Sequence, residues 1–381
     1  MAYSKGSADV VIVGGGVIGL AIARELALRG ERNVCLVERA TLGAEASFAA
    51  AGMLLPQVEA DTDDDFFQLA CKSRDLYPSF ANALREETGI DVELDARGTL
   101  YLALNENDQE EIEKRYYWQM RAGLAVELLS AAAARELEPC ISESAIGALR
   151  FPNDIQVENR RLLSALANSV NNLGIAVLTE TNVESLVVER NRATGVQTSR
   201  GKIACRSIVM AAGTWSSFLL RSSGCPDPAL QPVLGQMLCL ESKPQLTRHV
   251  IYSPRGYLVP RQDGRLLAGS TSENAGFAKR VTAGGISSIL RNALEISPAI
   301  ATLPVVDSWA GLRPRPADGL PVLGACGEID GLFYATGHYR NGILLAPLTA
   351  ELITEAIVAG VTSPLLTPFS PDRFSSQPVL R

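Results

Sequence analysis

Apolar and polar positions follow two different rhythms along this chain. Asp9 is followed by four consecutive apolar residues, Val10 to Val13. A short, continuous, mostly β-branched run of this kind reads as a strand buried on both faces of a parallel sheet. From Val17 onward apolar residues recur at helical spacing (Leu20, Ile22, Ala23, Leu26, Ala27), and Gly30 supplies the stop. NVCLVE, ending at Glu38, reads as a second strand. The pattern predicts strand, glycine turn, helix and strand within about 30 residues.

The same grammar returns later. KIACRSIVMAAGTW reads as an apolar strand ending in the small-residue turn Ala212-Gly213, and GLFYATGHYRNGILLAPLTAELITEAIVAG repeats strand, glycine and helix. Between these lie segments of another texture. GTLYLALNENDQEEIEKRYYWQMRAG predicts a strand and then a charged amphipathic helix, and GYLVPRQDGRLLAGST predicts a hairpin turning at Asp263-Gly264. Strands grouped this way predict an antiparallel sheet in a second domain. The acidic run EADTDDD reads as a solvated surface loop.

In the first unit Gly14, Gly16 and Gly19 form GxGxxG. Gly14 permits the tight turn, Gly16 lets backbone approach a pyrophosphate, and Gly19 lets helix and strand pack closely. The amides of Gly15, Gly16, Val17 and Ile18 then stand at a helix N-terminus, where orphan N–H groups and the dipole favour an anion. Glu38 follows Gly19 by 19 residues, at the end of the second strand, where a carboxylate accepts both hydroxyls of an adenosine ribose. With strand, helix and acid all in place, the motif reads as a dinucleotide site.

Composition narrows the class. The 381 residues are 47% hydrophobic and 20% charged with a net charge of −7, so the chain reads as soluble and globular, with two domains expected. No basic block accompanies that charge, which argues against nucleic acid as a partner. The seven cysteines are scattered without a CxxC pair, so neither a zinc framework nor a disulfide ladder is expected, and a reducing cytoplasm fits. Lys5 and the apolar run Val10 to Ala23 imitate a secretory signal, but Asp9 and four glycines interrupt the imitation. No segment reaches the roughly 20 apolar residues of a membrane span.

From Glu38 the chain runs ERATLGAEASFAAAGML, with a stretch of small residues (Ala46, Ser47, Ala51, Gly52) suited to lying against a flat cofactor. Together with IVMAAGTWS, GYLVPR, WAGLRPRPADGLPVLG and GHYRNGILLAP, it resembles the glycine oxidase and D-amino acid oxidase group of FAD-dependent amine oxidases, and the thiazole-forming (ThiO) glycine oxidases most closely. The resemblance runs nearly end to end. It implies a Rossmann-like FAD-binding domain assembled from residues 8–91, 150–227 and 307–365. A substrate domain on an antiparallel sheet would come from 92–149 and 228–306, with a tail at 366–381. It also implies non-covalent FAD, since AGLRP stands where covalent relatives carry a flavin-linking cysteine and Cys326 lies well downstream. Arg39, Met53, Val183, Trp215 and the run His338, Tyr339, Arg340, Asn341, Gly342, Ile343 and Leu344 would join the cofactor site.

The implied reaction delivers the Cα hydrogen of a small amino acid or amine to flavin N5, with O2 as the final acceptor. Its substrate's carboxylate needs a clamp, and a planar guanidinium meets a carboxylate bidentately. Arg313 matches the family's carboxylate arginine, with Tyr257 adding a phenol donor and Arg340 close by. Met53, Leu55, Tyr252 and Arg255 would border the pocket, Arg255 because it precedes Tyr257 by two residues. At the positions of Arg255 and Leu55 the chain departs from the best-known glycine oxidases. No general base acting on Cα is expected. A homotetramer is implied by resemblance, and two rivals stand beside the oxidase: a dehydrogenase passing electrons to a quinone or carrier, and a flavin-binding subunit without turnover.

Overall fold

The computed structural model describes residues 6–374. The short apolar runs come together in one six-stranded sheet, in the order Val322–Ala325, Leu332–Thr336, Ser207–Met210, Val10–Val13, Val34–Val37, Ala176–Leu178. All neighbours are parallel except the edge strand Val322–Ala325. Successive side chains of a strand point to opposite faces. Val10 and Ile12 accordingly enter one apolar core with the helices Val17–Leu28 and Gly342–Ala359, while Val11 and Val13 enter another beneath the three-stranded sheet Gly201–Ala204, Arg192–Thr198, Val183–Glu189.

The second domain is built on an eight-stranded sheet: Val305–Arg315, Gln231–Glu241, Arg265–Gly269, Gly256–Pro260, Val250–Ser253, Thr99–Ala103, Gly147–Phe151, Glu127–Ser130. It is antiparallel apart from the pairing of Val250–Ser253 with Thr99–Ala103. One face carries Leu238, Leu258 and Ala268 against the helix Ala283–Ile296; the other carries Met237, Tyr252 and Tyr257 toward the first domain. The expected hairpin is present, with Asp263 and Gly264 between its strands. So is the strand before the charged helix Glu106–Arg121.

Strand pairing and the expected domain limits differ at two points. Position 307 falls inside Val305–Arg315, which pairs along its length with Gln231–Glu241 and so extends the eight-stranded sheet. Position 150 falls inside Gly147–Phe151 of that same sheet. At the C-terminus, residues 364–374 form two short 3-10 turns against Val322–Ala325; 375–381 lie outside the described residues.

The helix Gly342–Ala359 is buried almost all round and contains Pro347. A proline within a helix cannot donate to the carbonyl four residues back. Here the orphaned Ile343 carbonyl accepts from the Tyr77 hydroxyl. One turn away, Ser73 Oγ donates to the Leu344 carbonyl at 2.7 Å and accepts from the Leu348 amide at 3.4 Å. The Tyr77 hydroxyl therefore replaces the missing rung, and Ser73 braces the next one. Tyr77→Phe should strip a buried carbonyl of its donor and cost about 1–3 kcal/mol. Thermal unfolding measures this, and an unchanged midpoint would show that the hydroxyl contributes nothing. Among the described residues no helix is long and apolar enough to cross a membrane.

Candidate functional site

Between the two sheets lies a cavity of roughly 620 Å³, within the range of cofactor sites. At one end it is lined by Gly14, Gly16, Val17, Ile18, Glu38, Arg39, Val183 and Trp215, and at the other by Met53, Leu55, Glu59, Tyr252, Tyr257, Arg313, Arg340 and Asn341. Most of the residues expected from the sequence are thus brought to one space, although they are separated by up to 329 positions, from Gly14 to Ile343.

At the first end the glycine turn is tight. A Cβ added to Gly19 would stand 1.9 Å from the Gly14 carbonyl oxygen, and one on Gly14 would stand 2.4 Å from that of Ala211. Gly15 and Gly19 therefore shape the turn from behind the lining. Glu38 accepts from the Gly15 amide at 2.8 Å and the Ala40 amide at 2.9 Å, so the carboxylate is already oriented. Ser47 Oγ accepts from the Val17 amide at 3.1 Å, joining the small-residue segment to the helix N-terminus. The Arg39 guanidinium stacks over Trp215, 3.6 Å from the ring centroid, and is paired with Glu45 at 2.7 Å.

The small-residue segment Ala46 to Gly52 is pinned by groups that local patterning does not show. Asn159 Nδ2 donates to the carbonyls of Ser47 and Phe48, and buried Arg261 donates from Nη2 to the Ala51 carbonyl at 2.6 Å. The short helix that follows, Pro56–Glu59, is capped from far away in sequence. Asp154 accepts from the Gln57 amide at 3.3 Å and the Val58 amide at 2.8 Å, and from Arg74 at 3.4 Å. Burial pushes the Asp154 carboxyl up to about 7 against those favourable contacts.

At the second end Arg313 is held by one edge of its fork, with Nη2 donating to Ser270 Oγ at 2.8 Å and Nη1 to the Thr271 carbonyl at 3.2 Å. Asp318, five positions on, is paired with Arg373 at 2.8 Å. Room for the guanidinium comes from Gly235 on the neighbouring strand, where an added Cβ would lie 2.3 Å from Arg313 Nη2. Tyr257 and Tyr252 are direct cross-strand partners with stacked rings 6.2 Å apart. Among the described residues the Tyr257 hydroxyl donates only to the Met237 sulfur, at 3.2 Å, a weak acceptor. Arg340 stacks on Tyr339, whose phenol it holds below the ordinary range against the effect of burial.

Two expectations are corrected here. Arg255 does not share the strand face of Tyr257, because the strand begins at Gly256 and Arg255 lies in the hairpin turn, where alternation no longer applies. Its side chain forms ion pairs with Asp108 at 3.0 Å and Glu295 at 2.6 Å, beside a separate cavity. Leu344 does not line the main cavity and is buried in the helix-facing core. The acidic run is exposed as expected, and its first residue, Glu59, also lines the open cavity.

His338 lines the cavity, with Nε2 3.2 Å from Thr349 Oγ1, and burial holds its imidazole down to about 3 from an ordinary 6.5. It is therefore neutral at working pH. Between pH 6.5 and 3 the unfolded chain binds a proton here that the folded chain does not, so stability falls as the pH drops through that window. The slope reaches at most about 1.4 kcal/mol per pH unit for one group. His338→Asn should flatten the acid limb of the melting temperature; an identical limb would assign it to other groups. The second histidine, His249, is paired with Glu138 at 2.6 Å, away from the cavity.

The FAD dependent oxidoreductase family model matches residues 9–356. The chain belongs to this family. A glycine oxidase of Geobacillus kaustophilus (strain HTA426) is 39% identical over 366 residues, covering 95% of this chain and 96% of the relative. The crystal structure of glycine oxidase from Geobacillus kaustophilus superposes with a TM-score of 0.93, covering 96% of this chain and 99% of that one. A bifunctional protein ThiO/ThiG of Trichormus variabilis (strain ATCC 29413 / PCC 7937) is 37% identical over 97% of this chain, which spans only 55% of that relative. The resemblance carried by the sequence motifs thus holds across the whole fold, and FAD is the cofactor of this oxidoreductase. The cavity fits such a group: close-packed glycines at one end, an oriented Glu38, and the Asn341–Ile343 N-terminus of a long helix at the other.

Proposed function

We propose that this protein oxidises glycine and other small amines, including sarcosine and D-alanine, to the corresponding oxo acid, releasing the nitrogen as ammonia or an amine and forming hydrogen peroxide. Arg313 is the observation that carries the reading: a cavity-lining guanidinium fixed by Ser270 and Thr271 with donors to spare, in the same cavity as a phenol whose acceptor is only a thioether. Such a pair clamps a carboxylate in a fixed plane. FAD, when bound, supplies the two-electron acceptor for the hydride leaving Cα, and O2 takes those electrons onward. Met53 and Leu55 close the pocket on the side of the small-residue segment and limit substrate size. His338, neutral and buried, packs the cavity wall and moves no proton.

Gly14, Gly16, Val17, Ile18 and Glu38 would hold the adenosine and pyrophosphate part of the cofactor, with Arg39, Val183 and Trp215 at the same end. Non-covalent attachment is supported by the lining, which among the described residues includes no cysteine. The ThiO-like relatives make supply of an oxidised glycine unit for thiazole synthesis, in the cytoplasm, the pathway reading. Oxygen consumption with peroxide formation on glycine, sarcosine and D-alanine tests the oxidase. Turnover confined to a quinone or artificial carrier would make it a dehydrogenase instead.

A further inference from the structure

Amine oxidation requires the substrate nitrogen to be neutral, yet glycine reaches the enzyme with an ammonium group. Four carboxylates line the cavity among the described residues: Glu38, Glu45, Glu59 and Glu184. Glu38 is engaged by two amides, Glu45 is paired with Arg39 and Lys279, and Glu184 lies with them at the Val183 end. Only Glu59 stands with Arg313, Tyr252 and Arg340. From these positions we infer that Glu59 receives the proton that the substrate's ammonium must lose before its Cα–H is oxidised.

Glu59 is placed rather than free. The Asp154 carboxylate caps the N-terminus of its helix, and buried Arg115 reaches across from the helix Glu106–Arg121. Arg115 donates to the Val58 carbonyl at 2.8 Å and to that of Ala60, and pairs with Asp61 at 2.8 Å. Asn341 Nδ2 donates to Glu59 Oε2 at 3.3 Å. The charged and titratable groups facing Glu59 are Arg340, Arg313, Arg115 and Tyr252. Its carboxyl stands above the ordinary range, because desolvation among the cavity walls outweighs the pull of the three arginines and Asn341, while the side chain keeps contact with solvent through the open cavity. In the step itself an O–H bond forms on Glu59 as one N–H bond of the ammonium breaks, and the electron pair stays on nitrogen. The proton leaves to water after the product departs. A proton acceptor of this kind typically contributes on the order of 10²- to 10⁴-fold.

The inference rests on the amine-oxidation reading, and its test separates the two. Holoenzyme and its Glu59→Gln variant are mixed anaerobically with glycine from pH 6 to 10 and the rate of flavin bleaching is followed. Binding of glycolate, which keeps the carboxylate and lacks the amine, is measured from the flavin spectrum. Glu59→Gln should reduce roughly 10²-fold more slowly at neutral pH and converge on wild type as the pH rises through the amine's own pKa, with glycolate bound no more weakly. Equal rates at all pH values, a deficit that does not vary with pH, or weakened glycolate binding would each overturn the role. Failure of the underlying reading looks different: wild type itself is then not reduced by any small amine at any pH.

Discussion

Arg313→Ala and Arg313→Lys are expected to retain FAD and lose most of their turnover on glycine. The guanidinium is anchored through Ser270 and Thr271, which fixes the plane of its remaining donors in the cavity wall. A lysine ammonium is a point charge on a flexible stem and reproduces neither the anchor nor the plane. Loss of a charge-assisted clamp on a group that orients the reacting carbon should cost about 2 to 4 kcal/mol of transition-state stabilisation. Gly235→Ala offers the same result without touching the arginine, because its Cβ would intrude to 2.3 Å of Arg313 Nη2 and drive the guanidinium aside. Steady-state kinetics on glycine decide the matter, and near-normal activity in Arg313→Lys would assign the carboxylate to another residue.

Gly19→Val should yield a protein that is colourless after purification. The added Cβ meets the Gly14 carbonyl oxygen at 1.9 Å, backbone against backbone, so neither side can rotate away. The helix Val17–Leu28 must lift from the strand Val10–Val13, and the turn that lies between them loses its shape. Overpacking of this sort costs typically 1–3 kcal/mol or more, and here the strain falls on the cofactor-facing turn itself. Gly284→Ala provides the control, since its Cβ enters open space on a helix that contributes no residue to the cavity lining. Flavin absorbance per mole of protein reads both variants. A yellow Gly19→Val with wild-type FAD content would remove this turn from the cofactor site.

What was legible in the sequence was whatever neighbouring residues determine. The run Val10–Val13, the three glycines and Glu38 lie within 29 positions, and their chemistry follows from short-range sterics. The carboxylate clamp was legible through family resemblance, since nothing local distinguishes Arg313 from Arg315 two positions on. Contacts across long sequence separations were not. Asp154 capping a helix 97 positions away, Arg261 pinning Ala51, and Gly235 making room for Arg313 leave no periodic trace. Glu59 is exposed, as an acidic run predicts, but its place on the cavity wall beside Arg340 and Asn341 depends on contacts from Arg115 and Asp154 that no local pattern shows. Arg255 went the other way: a two-residue parity rule applied to a residue that the hairpin turn had already taken out of the strand.

The central claim, that an amino acid is oxidised by FAD held between these two sheets, is tested most directly by adding glycine to the holoenzyme without oxygen. The account predicts that the flavin bleaches completely, that one equivalent of glyoxylate forms per FAD, and that admitting air restores the yellow colour. A flavin that stays oxidised with glycine, sarcosine and D-alanine, yet bleaches with dithionite, would contradict it.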